Sequence, residues 1–374
     1  MMNEYQTIDY KDKLHEQYQN KINSLLCVLP DYCVGYENYI RNHNSIKTRM
    51  EYLVDIYNFF RYLSLNKYKG RNTRDITLEN LAKLTGFDFD DYLSWLTSYK
   101  FDVTNENEKL KENSLASKKR KLMAVKSLFH FLYVRDLIPC NPSEKAITPK
   151  VKSKKRCSIR ILEDNEYDLF LDCIERKYND AISLLKTKSE EKQTEKEKLR
   201  PSMILRDKAI IYLFLGTGLR VSELCAINCS NISWELDYIN VIRKEDSDDD
   251  TTTDQVYLNP QVKKILLNYI QNARENLSPN PDNYDALFIS SKHCRITPRA
   301  VELLVKEYAD AALGTGNGIT PHKLRATFGT RYYQKYKDIS ATSTVMNHAG
   351  IEITAKYYIQ EDKAAKEKVK DMRI

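Results

Sequence analysis

The chain has 374 residues, with 59 Lys and Arg against 52 Asp and Glu, a formal net charge of +7, and 42% hydrophobic residues. That length suits about two domains, and the composition excludes global disorder, a histone-like tail and an acidic solvating chain. The apolar run 209–215 is far shorter than the roughly 20 residues a bilayer span needs. The N-terminus has no basic-then-apolar leader, so a cytoplasmic protein without a membrane partner is expected. Eight cysteines, none in a Cys-x-x-Cys pair, and six histidines predict reduced thiols and no metal site. Of ten glycines, those from Gly216 to Gly350 dominate. Gly is needed where backbone turns tightly or approaches a ligand, which points to the second half as the chemical half.

Residues 1–29 are polar and weakly patterned, an N-terminal extension that reads as a helix or a loose arm. Residues 30–144 read as a helical domain. Met50, Leu53, Val54, Tyr57 and Phe60 recur every three or four residues and predict a helix over 45–65 capped by Ser45. Tyr92, Trp95 and Leu96 mark a shorter helix over 88–99. Leu122, Val125, Phe129 and Leu132 predict another over 114–135, with Lys118, Lys119, Arg120 and Lys121 in its first half and Lys126 two turns beyond Lys119. That charged face is either simply solvated or contacts phosphates.

Residues 145–160 hold Lys145, Lys150, Lys152, Lys154, Lys155, Arg156 and Arg160, no acid, and Pro149. This is an extended basic linker. A second domain, 161–374, starts with Leu162-Glu-Asp-Asn-Glu166, a helix-start pattern. The stretch 186–198 is almost wholly charged or polar, a surface insertion or frayed helix end, and a helix over 205–215 follows. A strand is expected over 237–243 with a hairpin partner over 255–258. The acidic turn 246–254 between them lacks the glycine and terminal glutamate of a calcium loop. Helices are expected over 262–276, 297–313, 321–336 and 361–369.

Four local patterns carry the chemistry. In Gly216-Thr-Gly-Leu-Arg220-Val-Ser-Glu223-Leu224 the glycines end a helix and turn Arg220 inward. Glu223, three residues on, shares a helix face with it and orients its guanidinium for an oxyanion; a surface ion pair is the plainer alternative. Lys244, the one lysine between Lys208 and Lys263, ends the expected strand. In Thr320-Pro321-His322-Lys-Leu-Arg325 the proline suits a helix start, and His322 and Arg325 share a face suited to phosphate oxygens. The last pattern is His348-Ala-Gly-Ile-Glu-Ile-Thr-Ala-Lys-Tyr357-Tyr358.

The order Arg220, Lys244, His322-x-x-Arg325, His348, Tyr357 resembles the tyrosine recombinase (phage integrase) family, in its simple Xer-like layout. The resemblance is strong from about residue 161 onward and rests on pattern alone over 30–141. It implies a mainly α fold with a small antiparallel β-sheet, an N-terminal helical core-binding domain and a C-terminal α+β catalytic domain. It implies a site-specific recombinase that cleaves and rejoins DNA through a 3′-phosphotyrosine, for integration, excision or resolution of DNA. Arg220, Lys244, His322, Arg325, His348 and Tyr357 would be catalytic, with Glu223 supporting Arg220. Lys118, Lys119, Lys121, Lys126, Lys150, Lys152, Lys154, Lys155 and Arg156 would contact DNA. Double-stranded DNA with inverted-repeat core sites would be the partner, clamped by the two domains. A homotetramer would assemble on it, with helix 361–369 docking on a neighbouring protomer, and no cofactor or metal would be required.

Two departures stand out. The family usually has Leu-Gly-His where this chain has Met346-Asn347-His348; Asn tolerates left-handed backbone better than other non-glycine residues. Tyr358 is a rival nucleophile, but the nine-residue spacing from His348 favours Tyr357. The alternatives of another kind are a catalytically silent DNA-binding regulator of the same fold and a type IB topoisomerase-like relaxing enzyme.

Overall fold

The computed structural model describes residues 10–101, 109–150, 160–189, 192–244, 251–348, 350–352 and 354. The chain divides into two compact units, Met1–Arg156 and Cys157–Ile374.

The first unit is helical. Its helices are α1 (Tyr10–Val28), α2 (Tyr32–Arg41), α3 (Ile46–Tyr62), α4 (Leu78–Ala82), α5 (Gly86–Trp95) and α6 (Leu115–Val134). The polar stretch read as an extension carries α1, which packs on α3 and sends Ile22 into the core. Ser45 caps α3 and Ser114 caps α6, each accepting a hydrogen bond from the backbone N–H three residues on, as the pattern Ser before an apolar stripe suggests. Phe59 is central: it stacks on Phe89 at 5.7 Å and meets Tyr92 and Phe129 edge-on at 5.0 and 6.0 Å. The helix expected over 88–99 ends at Trp95, because the chain turns into an antiparallel hairpin of β1 (Ser98–Phe101) and β2 (Lys109–Glu112). Its polar sequence lacks the alternation that announces a strand.

The second unit holds α7 (Asp164–Thr187), α8 (Glu195–Thr217), α9 (Val221–Ala226), β3 (Ile232–Ser233), β4 (Tyr238–Lys244), β5 (Thr251–Tyr257), α10 (Pro260–Tyr269), α11 (Pro298–Leu313), α12 (Pro321–Tyr336) and α13 (Ile339–Met346). The fold is mainly α, with one small antiparallel sheet ordered β3-β4-β5 in this unit. Helix α8 is the axis: α7, α10 and α12 all pack on it. Its second half is apolar on every side and buried from Ala209 to Leu215 apart from Tyr212, as a helix surrounded by others must be.

Helix α8 also starts ten residues before the expected 205. Thr194 and Glu197 form a reciprocal capping box, so the charged stretch is in part an exposed first turn rather than an insertion. The helix expected over 262–276 is α10 followed by a π-turn, Ile270–Arg274, and a 3-10 turn. No helix among the described residues is long and apolar enough to cross a membrane. The expected helix over 361–369 lies outside the described residues.

Candidate active site

The glycine turn places the first arginine. Gly218 closes α8 in the left-handed region, φ 65°, which costs glycine nothing. A Cβ there would stand 2.4 Å from the Phe328 ring. Gly216 does not end the helix, contrary to the sequence reading. It lies inside α8, where a Cβ would strike Val262 of α10 at 2.4 Å, so it serves close helix packing.

Arg220 is the N-cap of α9. Glu223, 7% exposed, takes the Arg220 backbone N–H on one carboxylate oxygen and its Nη1 on the other, both at 2.7 Å. One carboxylate thus fixes the helix start and the guanidinium together, which a surface ion pair does not do. Arg220 Nη2 donates to the Asn347 carbonyl at 2.7 Å, and the side chain is 43% exposed.

Helix α12 brings the second cation. Thr320 caps it, Pro321 opens it, and His322 and Arg325 lie one turn apart. Arg325, 4% exposed, donates from Nη1 to the Gly218 carbonyl and from Nη2 to the Met346 carbonyl. The two arginines therefore share one anchor. Consecutive carbonyls at the C-terminal end of α13, Met346 and Asn347, hold one guanidinium each, at the negative end of a helix.

His348 follows directly. Its Nδ1 is 2.7 Å from the Thr354 hydroxyl, which is fully buried. Partial burial, then the charges of Arg325 and Arg220, hold His348 down at about 4, and the His322 ring adds to this. His322 is exposed, but atoms packed about its ring, and then Lys323, Arg325 and Arg220, also pull it below the ordinary histidine value. Both imidazoles are neutral at pH 7, able to give or take one proton each.

Four of the six expected catalytic residues, Arg220, His322, Arg325 and His348, thus gather at the ends of α8, α12 and α13. Lys244 is the last residue of β4, paired with Thr251. Its side chain, like Tyr357 and Tyr358, lies outside what is described. Sequence reading missed α13 and Thr354. The signal for α13 was an Asp338 cap before an Ala- and Val-containing run.

The expected DNA-contacting lysines separate. Lys119 and Lys150 are exposed. Lys118 donates to the Thr97 hydroxyl at 2.5 Å, and Lys126 to the Ala146 carbonyl and Thr148 hydroxyl at 3.0 and 3.2 Å. Lys121 is a correction: it is 4% exposed and paired at 2.6 Å with buried Asp55, so it braces α6 against α3 and cannot meet a phosphate. Arg120 pairs with the other Asp55 oxygen at 2.8 Å. Lys152, Lys154, Lys155 and Arg156 lie outside the described residues. Arg160 is committed to a bidentate pair with Glu166, at 2.6 and 2.7 Å, and to the Asn317 carbonyl.

Fixed guanidiniums and neutral imidazoles at one helix end suit an anionic group whose charge grows during reaction. Comparison with known proteins places this class. Residues 187–365 match the Phage integrase family. Tyrosine recombinase XerC of Caldanaerobacter subterraneus is 27% identical over 336 residues, covering 88% of this chain and 81% of the relative. Tyrosine recombinase XerD of Oceanobacillus iheyensis is 26% identical over 327 residues, covering 86% and 97%. The crystal structure of XerH site-specific recombinase bound to palindromic difH substrate, a post-cleavage complex, superposes with TM-score 0.57 at 18% identity, covering 95% of this chain and 89% of that one. A lambda integrase dimer bound to a COC′ core site gives 0.56 at 15%, covering 89% and 96%. The chain is thus similar to tyrosine recombinases over most of its length, and its residues 187–365 match the Phage integrase family.

Proposed function

We propose that this chain is a site-specific recombinase that holds a scissile phosphate of duplex DNA among Arg220, Arg325, His322 and His348. The observation that carries the reading is the shared anchoring of both arginines by the carbonyls of Met346 and Asn347, immediately before His348. It presets the distance between two cations, so little reorganisation is needed when charge develops on the non-bridging oxygens.

Tyr357 is the nucleophile. Its phenolic oxygen forms a bond to phosphorus as the bond to the 5′-oxygen breaks, leaving a 3′-phosphotyrosine and a free 5′-hydroxyl. A tyrosine hydroxyl has a pKa of about 10, so it needs a base or a cationic pocket. His322, neutral and exposed, takes that proton. Lys244 gives one to the leaving 5′-oxygen, which otherwise departs as an alkoxide. The covalent link keeps the energy of the phosphodiester, so rejoining to another strand needs no nucleotide triphosphate. Glu223 orients Arg220 and does no chemistry.

The partner is double-stranded DNA with inverted core sites, with four copies on two sites and Lys150, Lys152, Lys154, Lys155 and Arg156 on the phosphates. DNA-bound relatives of the same fold support the choice of partner. The test uses duplexes selected from a random library by the Tyr357→Phe protein. Wild type should exchange strands between two such duplexes in EDTA without ATP, and Tyr357→Phe should not. Relaxation of any supercoiled plasmid without exchange would favour a topoisomerase-like enzyme. Binding without cleavage would favour a silent regulator.

A further inference from the structure

We propose that Thr354 is a positioning residue that donates its hydroxyl proton to His348 Nδ1, fixing the imidazole as the tautomer that carries its proton on Nε2. This rests on the reading of His348 as part of the phosphate site and assigns it one of two roles.

Thr354 is fully buried, and its Oγ1 lies 2.7 Å from Nδ1, within the range of a hydroxyl hydrogen bond. Two arrangements fit that distance. If Nδ1–H donated to Oγ1, the hydroxyl's own proton would need another acceptor in a place without water. Among the described residues Thr354 has no other partner. Leaving a buried donor unmade is costly, whereas leaving a spare hydroxyl lone pair is not. The hydroxyl therefore donates and Nδ1 accepts.

The ring is neutral, since burial and the two guanidiniums keep a second proton away. A neutral imidazole has one N–H, and with Nδ1 accepting, that N–H is Nε2. His348 in this state donates a hydrogen bond to a phosphate oxygen and cannot take the proton of Tyr357. The base role then falls to His322, the other imidazole of the cluster. Thr354 lies six residues after His348 and three before Tyr357, so one short segment supplies the histidine, the group that sets its proton and the nucleophile.

The test uses the full chain, ¹⁵N-labelled at histidine, and the variants Thr354→Val, which keeps the shape, and Thr354→Ser, which keeps the hydroxyl. Nitrogen shifts of His348 in the DNA-free wild type at pH 7 should show a protonated Nε2 and a bare Nδ1. Thr354→Val should mix the tautomers and slow single-turnover adduct formation on a selected nicked duplex by about ten- to a hundredfold. Thr354→Ser should restore both. A wild-type spectrum with the proton on Nδ1 overturns the proposal, as does a Thr354→Val protein with unchanged tautomer and rate. The spectrum needs no DNA. A wild type that forms no adduct yet shows the Nε2–H tautomer contradicts the recombinase reading and leaves the Thr354 assignment supported.

Discussion

Asn347 holds a left-handed backbone, φ 44° and ψ 61°, at the end of α13, and its carbonyl meets Arg220. The family pattern has glycine there, and asparagine is the residue that replaces it with least strain. Asn347→Gly should cleave DNA at a rate within about twofold of wild type, since one weak local preference changes. Asn347→Val should lose about 1–2 kcal/mol in denaturant unfolding and cleave more slowly, because the carbonyls that hold both guanidiniums shift. Equal stability for the two variants would contradict the anchoring role.

His348 makes a pH prediction of definite sign. Its folded value is about 4 against 6.5 for an ordinary histidine. Below pH 6.5 the unfolded chain binds a proton that the fold excludes until about pH 4. The contribution of this group to stability is therefore intact above 6.5 and falls as the pH drops from 6.5 to 4. Denaturation midpoints between pH 7 and 4.5 should fall more for wild type than for His348→Asn; parallel curves would show that His348 is not held neutral. The residues Arg220, His322, Arg325 and His348 were legible because their types and order are a local property of the chain. Thr354 was not, because a buried hydroxyl is recognised only by what surrounds it.

Among the elements, α6 shows how a charge run misleads. Lys118, Lys119, Arg120 and Lys121 read as one basic face, yet helical geometry turns Lys121 inward to Asp55 while Lys119 stays in water. Lys121→Met should destabilise the protein by about 1–3 kcal/mol, since buried Asp55 loses one of its two cations and keeps only the half-exposed Arg120, and leave the salt dependence of DNA binding unchanged. Lys119→Ala should leave stability within about 0.5 kcal/mol and reduce the slope of log affinity against log salt by about 0.9 if it meets one phosphate. Urea unfolding and salt titrations of both variants check this; the reverse pattern would return Lys121 to the DNA face. Helices with an apolar stripe and a Ser or Thr cap, such as α3, α6 and α11, were legible to within a few residues. Helix α13 was not, because Ser, Thr and Val dominate it and none favours helix; its Asp338 cap and its packing on α12 hold it.

At the scale of the molecule, the net charge of +7 is matched by the seven basic residues of 145–160, so the rest of the chain is close to neutral. Arg160 is withdrawn from that set by its bidentate pair with Glu166, which ties residue 160 to the start of α7. The central claim concerns one bond. A nicked duplex carrying a selected site, incubated with wild type, digested with protease and nuclease and sequenced by tandem mass spectrometry, identifies the residue that carries DNA and the end it is joined to. The expected product is a nucleotide linked through its 3′-phosphate to Tyr357, with a free 5′-hydroxyl on the released strand. A nucleotide on Tyr358, or a link through a 5′-phosphate, would contradict the assignment.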